Sequence, residues 1–219
     1  MVLDWGFILQ HTYMFYDAFW LTLEISSIGI ILAIIIGFLC ALCLSFKPIF
    51  FLTRLSALYV EVARNTPLLI QLFFLYFGLS KVGLHISAFW CAIIGVAFLG
   101  GSYMCESFRA GLQSVGKAQK ESALSIGLSR FGIVRYVIFP QALGVCMPSL
   151  AANVVFLIKE TSVVGIIALA DILYVSKDII MMYAKTYEAL FMLLCAYLVI
   201  LLPLSLVFSF IERTIKQRL

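Results

Sequence analysis

Leu21–Ser45, LTLEISSIGIILAIIIGFLCALCLS, contains one ionisable side chain other than its two cysteine thiols, Glu24, in an otherwise apolar run. Four more apolar stretches follow, near Ser56–Leu79, Ile86–Cys105, Val137–Ile158 and Leu190–Ile211. Each reaches the roughly 20 residues that a helix needs to cross the hydrocarbon core of a bilayer. The runs are apolar on all sides and longer than the alternating segments of about 10 residues that build a membrane β-barrel, so a barrel is rejected. The reading is all-α: a polytopic transmembrane helical protein of about five spans.

The whole composition agrees. Of 219 residues 64% are hydrophobic and 12% are charged, with a mean hydropathy of +1.12. Soluble domains carry about 25% charged residues, and this chain could not cover itself with polar surface in water. The first basic residue is Lys47, and Asp4, Asp17 and Glu24 precede it, so no cleavable secretory leader is expected. Residues 3–20, rich in Trp and Tyr, read as a segment at the membrane interface rather than a disordered tail.

Short loops rich in Lys and Arg stay in the cytoplasm. With five spans one side collects Lys47, Arg54, Arg64, Arg109, Lys117, Lys120, Arg130, Arg135, Arg213, Lys216 and Arg218, and the other only Lys81, Lys159, Lys177 and Lys185. The amino terminus is therefore expected outside and the carboxyl terminus inside. This bias accounts for the net charge of +4, and no nucleic-acid partner is implied. The six cysteines fall within or at the ends of predicted spans, where they act as small apolar side chains. His11 and His85 sit in different external segments, so no metal or redox site is expected.

No linker or internal repeat is evident, so residues 1–219 read as a single transmembrane domain broken at three places. In the first, Glu61 and Arg64 lie three residues apart and are expected to pair on one helix face, with Pro67 stopping or kinking the helix beyond them. Such a pair either marks the membrane edge or serves function.

The second break is the long loop 106–140. Residues 117–126 have good helix formers and end at Gly127, where a left-handed cap is expected. A second short helix from Ser129, with a Ser cap, is expected to stop before Phe139-Pro140. The loop should thus project a compact two-helix knob that suits docking to a partner. Inside it Gly111–Lys117 begins like a nucleotide-binding G-x-x-x-x-G-K loop, but Ala118 replaces the hydroxyl that would hold Mg²⁺. ATP binding is not expected here, so ATP would be used by another subunit.

The third break runs from Asn153 to Glu188. A span ends at Lys159-Glu160-Thr161-Ser162, and the run Val163–Leu173 is too short to cross, so it either re-enters or lies at the outer surface. Asn153 and Glu160 are seven residues apart and share a helix face. Ionisable groups here either face a pathway or mark the outer membrane edge.

Several of these segments resemble a known family. Glu121-Ser122-Ala123, with Gly127 four residues after Ala123 and then Ile138 and Pro140, resembles the EAA loop of ABC importer permeases. Tyr59–Tyr76, carrying RNTPLLIQLFFLY, together with Ser102–Arg109, Phe139–Leu143 and Lys159–Val163, resembles the polar amino acid branch of that family, the His/Glu/Gln/Arg/opine type. Two residues depart from the pattern: Ser122 stands where Ala is usual, and Asn65 where Gly is common.

The resemblance implies a MetI-like type I ABC importer permease fold, with the transmembrane type-1 region over residues 17–213 and the coupling loop at 106–140. It also implies a second permease, as homodimer or heterodimer, and ABC ATPase subunits that receive the loop and use ATP and Mg, with no cofactor in this chain. An extracytoplasmic amino acid-binding protein and a bacterial cytoplasmic (inner) membrane complete the expectation. Glu121, Ser122, Ala123, Gly127 and Pro140 become the coupling candidates. Asn153, Lys159, Glu160, Thr161 and Ser162 become the substrate-pathway candidates, and no catalytic residue is expected. An ion-coupled secondary transporter is the alternative class, but it would place ionisable groups in mid-membrane and often show a repeat.

Overall fold

The computed structural model describes residues 3–47 and 49–216, and the described residues form helices and turns with no strand. Arg218, counted above among the basic residues of one side, lies outside the described residues, as does the side chain of Lys216. A short helix α1 (Trp5–His11) precedes α2 (Met14–Phe46), so the first span begins earlier than its most apolar stretch. Helices α3 (Phe50–Arg64) and α4 (Leu68–Lys81, with a widened π turn at Phe74–Gly78) are followed by α5 (Ala88–Ser114). The chain continues through α6 (Lys117–Ser125), α7 (Arg130–Ile133), a π turn (Val134–Ile138) and α8 (Phe139–Glu160). A 3-10 segment (Thr161–Ile167), α9 (Ile172–Tyr183) and α10 (Thr186–Lys216) complete it. Among the described residues four helical stretches are long and apolar enough to cross a membrane, or five if α3 and α4 count as one broken span.

One expectation about helix ends holds and one is corrected. Pro67 stops the helix, one of the two outcomes expected of it: at φ −60° and ψ 143° it stands outside both α3 and α4. Pro67 lacks an amide and holds the residue before it out of helical geometry. Gln71 Nε2 then donates to Thr66 O at 3.1 Å and to Thr66 Oγ1 at 2.9 Å, so the carbonyl at the break is not left bare. At Pro140 the reverse happens, and the helix expected to stop before Phe139 runs on into α8. The π turn widens the backbone there, with Phe139 N donating to Val134 O, which makes room for a ring that would clash in a regular α-turn.

The chain falls into two compact units, each built from three segments. The first comprises the chain up to Ile31, Thr66–Ala97 and Val155–Leu204. Its buried residues include Ile25, Leu68, Leu72, Ile93, Ile172 and Ile179. Gly29 lets α2 approach α5 closely, since a Cβ there would lie 2.7 Å from Val96 Cγ1. Small residues at such crossings are how helices gain van der Waals contact where lipid removes any hydrophobic drive between them.

A polar latch closes one end of this unit. Asp4 caps α1 by accepting from Phe7 N at 3.0 Å, its Oδ2 meets Lys185 Nζ at 2.9 Å, and its own amide donates to Glu188 Oε1 at 3.2 Å. The Lys185 ammonium, helped by the Phe7 amide, holds the Asp4 carboxyl below its ordinary range. His11 stacks on Phe7 with ring centroids 4.0 Å apart and meets Tyr183 edge-on at 4.7 Å. The aromatic amino-terminal segment is therefore a built element anchored to the start of α10.

The second unit comprises Leu32–Asn65, Phe98–Val154 and the chain from Ser205. Gly37 sits where a Cβ would lie 2.5 Å from Met104 Cβ, and Gly101 leaves room for the Tyr59 hydroxyl and Ile36. Tyr59 donates to Phe98 O at 2.8 Å, satisfying a phenol that would be costly to bury unpaired. Gly111 is a packing residue here, because a Cβ on it would lie 2.5 Å from Ala142 O.

Candidate functional site

The knob of the second unit is built around one buried face of α6. Ala123, 4% exposed, packs with Val115, Ile133 and Ile138, and Leu112, Leu128 and Val137 surround them. Helix α6 ends in a Schellman closure: Leu128 N donates to Ala123 O at 3.1 Å and Gly127 N to Leu124 O at 2.9 Å. Gly127 has φ +84°, the left-handed region in which a side chain is strained. Its spacing after Ala123 is thus a geometric demand, since the closure needs the left-handed residue four positions beyond the residue whose carbonyl it satisfies. Ser129 caps α7 by accepting from Gly132 N at 3.1 Å, as its position suggested.

The opposite face of the knob is open. Glu121 and Ser122 are exposed, and so are the large apolar side chains Leu124, Ile126 and Phe131. Ile126 is 78% exposed, which is unusual for isoleucine and marks a surface that gains by being covered. Because Ser122 is exposed while Ala123 is buried, the departure from Ala at the first of these positions changes no packing. Pro140 is exposed in the first turn of α8, where it follows the π turn that joins the knob to the span.

The substrate-pathway candidates do not form one cluster. Asn153, on α8 in the second unit, donates from Nδ2 to Tyr103 O at 3.2 Å and Ser107 Oγ at 2.9 Å on α5. Ser107 Oγ in turn lies 2.6 Å from Ser149 Oγ. Ser107 is 3% exposed, whereas Ser149 is exposed and Asn153 half-buried, so the network leads from the interior to a surface of the unit. Lys159, Glu160, Thr161 and Ser162 belong to the first unit. Lys159 is exposed and Glu160 half-buried. Thr161 is fully buried and its hydroxyl donates to Ile158 O at 2.7 Å, where the α-helix tightens into the 3-10 segment. Ser162 lines a cavity of about 310 Å³ with Asp171, Tyr174, Lys177 and Asp178.

The expected Glu61–Arg64 pair is also corrected. Among the described residues Arg64 Nη1 instead lies 3.9 Å from Glu106 Oε1, and Glu61 Oε2 accepts from Asn65 Nδ2 at 3.2 Å. Glu106 is more firmly held by Arg109, at 2.9 Å. A pair three apart on one helix competes with partners from other helices, and α5 offers Arg64 a carboxylate already fixed by its neighbour.

Sequence reasoning missed Ser107, Ser149 and Glu106 as partners. A local signal existed for Ser149, which precedes Asn153 by four residues and therefore shares its helix face. It also missed α9 and the burial of Asp171, which is 0% exposed and caps that helix. Burial drives the Asp171 carboxyl up to about 6, against the pull of the Tyr174 and Leu173 amides.

Comparison with known proteins matches residues 11–219 to the family described as binding-protein-dependent transport system inner membrane components. The probable glutamine ABC transporter permease protein GlnM of Bacillus subtilis (strain 168) is 31% identical, over 93% of this chain and 94% of its own. The glutamine transport system permease protein GlnP of Escherichia coli (strain K12) is 30% identical, over 99% of both chains. A crystal structure of an amino acid ABC transporter with histidines has a chain 30% identical with a TM-score of 0.88, covering 98% of this chain and 100% of that one. The MetNI methionine ABC transporter, at 17% identity and a TM-score of 0.76 over 93% of this chain and 96% of that one, shares the fold. With membrane-spanning helices and a match over nearly its whole length, the chain belongs to the binding-protein-dependent inner membrane component family and is a multi-pass ABC importer permease subunit, not an enzyme.

Proposed function

We propose that this chain forms part of the transmembrane path by which an ATP-driven importer brings a polar amino acid into the cytoplasm, with its amino terminus outside and its carboxyl terminus inside. The observation that carries the coupling half of this reading is the knob. A short helix locked by a Schellman closure at Gly127 presents Glu121, Leu124 and Ile126 outward from a packed apolar base. A rigid lever with an uncovered apolar and acidic face fits a partner that moves, and separate ATPase subunits, using ATP and Mg, are that partner. The bias of Lys and Arg toward one set of loops, the set that includes the knob, supports the orientation.

The pathway half draws on Asn153 and its serine partners, with Lys159, Glu160 and Ser162 as further polar groups at the end of α8 and beyond. A polar surface of this kind offers hydrogen bonds to a solute that has shed water. Relatives named for glutamine and arginine transport favour a polar amino acid as cargo, delivered by an extracytoplasmic binding protein to this chain and a second permease. No observation favours the ion-coupled alternative. Proteoliposomes holding the chain, its ATPase and any sister permease, supplied with the binding protein, test the reading. Uptake of radiolabelled L-glutamine or L-arginine that requires internal ATP and survives collapse of ion gradients is expected. Uptake driven by a gradient without ATP would overturn it.

A further inference from the structure

The knob and the Asn153 network leave one built feature without a role. It is the cavity of about 310 Å³ in the first unit, and its chemistry is set by α9. The 3-10 segment ends at Ala168 in a left-handed turn (φ 61°), which brings Asp171 in as the cap of α9. Asp171, Tyr174 and Asp178 then recur along one helix face, three and four residues apart. Gly165 closes one wall. A Cβ there would come within 3.3 Å of both Asp171 Oδ1 and Tyr174 Cδ2, so any larger residue would crowd the cavity's inner wall.

Lys177 and Asp178 both line this cavity, and among the described residues neither makes an ion pair. Adjacent charges of opposite sign on successive helix positions point about 100° apart, so they flank a space instead of neutralising each other. The two carboxylate oxygens of Asp171 are taken by Leu173 N and Tyr174 N, both at 3.1 Å, so Asp171 shapes the site and sets its negative field without being the primary ligand. The remaining walls, Val163, Ile166, Leu173 and Met181 among them, are apolar. A concave space of this size with apolar walls and a few convergent polar groups is the usual form of a small-molecule site.

We propose that this cavity binds the zwitterionic backbone of a free α-amino acid, its carboxylate on Lys177 and its ammonium on Asp178, with Ser162 as a further hydrogen-bonding group. It would serve as a station that this chain offers the solute in addition to the Asn153 surface. A zwitterion fits because groups of both signs line the cavity: Lys177 offers the positive charge for a carboxylate, and Asp178, in the negative field of Asp171, the negative charge for an ammonium. The proposal rests on the reading of the chain as an amino acid permease subunit and adds a second, separately testable site to it.

The test uses the assembled transporter in nanodiscs without binding protein, and equilibrium binding of radiolabelled L-glutamine and L-arginine. Saturable binding is expected. The α-N-acetyl and α-carboxamide analogues should compete poorly, and Lys177→Gln and Asp178→Asn should each weaken binding by at least about tenfold. Melting curves matching wild type establish that both variants are folded. Binding that both folded variants retain at wild-type strength would overturn the proposal, as would no saturable binding at millimolar concentrations. If the same preparation still imports amino acid on adding binding protein and ATP, the cavity fails and the permease reading stands. If it imports none, the permease reading fails first.

Discussion

Asn153 Nδ2 lies 2.9 Å from Ser107 Oγ, so a carboxamide on one membrane helix is tied to a buried hydroxyl on another. The same Nδ2 also meets Tyr103 O, and Ser107 passes the chain of bonds to Ser149. One amide thus orders a polar strip across two helices in a setting where an unmade hydrogen bond is costly.

Asn153→Ala should leave Ser107 with Ser149 as its remaining side-chain partner and lower ATP-driven uptake more than it lowers stability. The interhelical bonds at stake are worth about 1 kcal/mol each in membranes, so the melting temperature in detergent should fall by only a few degrees. Ser107→Ala should reproduce the stability loss with a smaller loss of uptake, because Ser107 is buried and Asn153 is not. Equal uptake defects in the two variants would mean that the network is structural only. Melting curves and initial uptake rates on the same preparations separate these outcomes.

Gly127→Ala places a Cβ at φ +84° and should cost about 1 kcal/mol by straining the closure of α6. The chain should still insert, but the knob should hold its ATPase less well. Glu121→Lys reverses an exposed charge without touching the fold, so it should weaken ATPase retention with an unchanged melting curve. Co-purification of the ATPase in mild detergent is the measurement, and full retention and uptake by both variants would refute the coupling role.

Asp171 predicts a pH dependence of stability. Its folded pKa of about 6 lies above the ordinary 3.8, so between these values the folded state keeps a proton that the unfolded state releases. The stabilisation is complete below the lower value and is lost as pH rises through the upper one. Asp171→Asn keeps an acceptor for the cap and cannot ionise. Its melting temperature should therefore fall less than that of wild type as pH rises from about 4 to about 7, and exceed that of wild type above this window by about 6 °C. Parallel pH profiles for the two proteins would show that Asp171 does not titrate in the folded state as described.

Much was legible in the sequence because the bilayer makes length and apolarity nearly sufficient to define a helix. The spans were readable from composition alone, since a backbone in lipid must satisfy its own hydrogen bonds. The closure at Gly127 and the cap at Ser129 were readable because they depend on neighbours within a few residues.

What only the tertiary structure decided was the choice among partners distant in the chain. Arg64 had a local acid at Glu61 and took Glu106 instead. Asn153 and Glu160 share a helix, yet the former bonds within one compact unit and the latter belongs to the other. Pro67 ended a helix while Pro140 did not, because a π turn could widen the backbone ahead of the second ring. Local propensity sets where a helix can form. Which polar group meets which is settled by side chains from other helices competing for the same hydrogen bond, and that competition has no periodicity in the sequence.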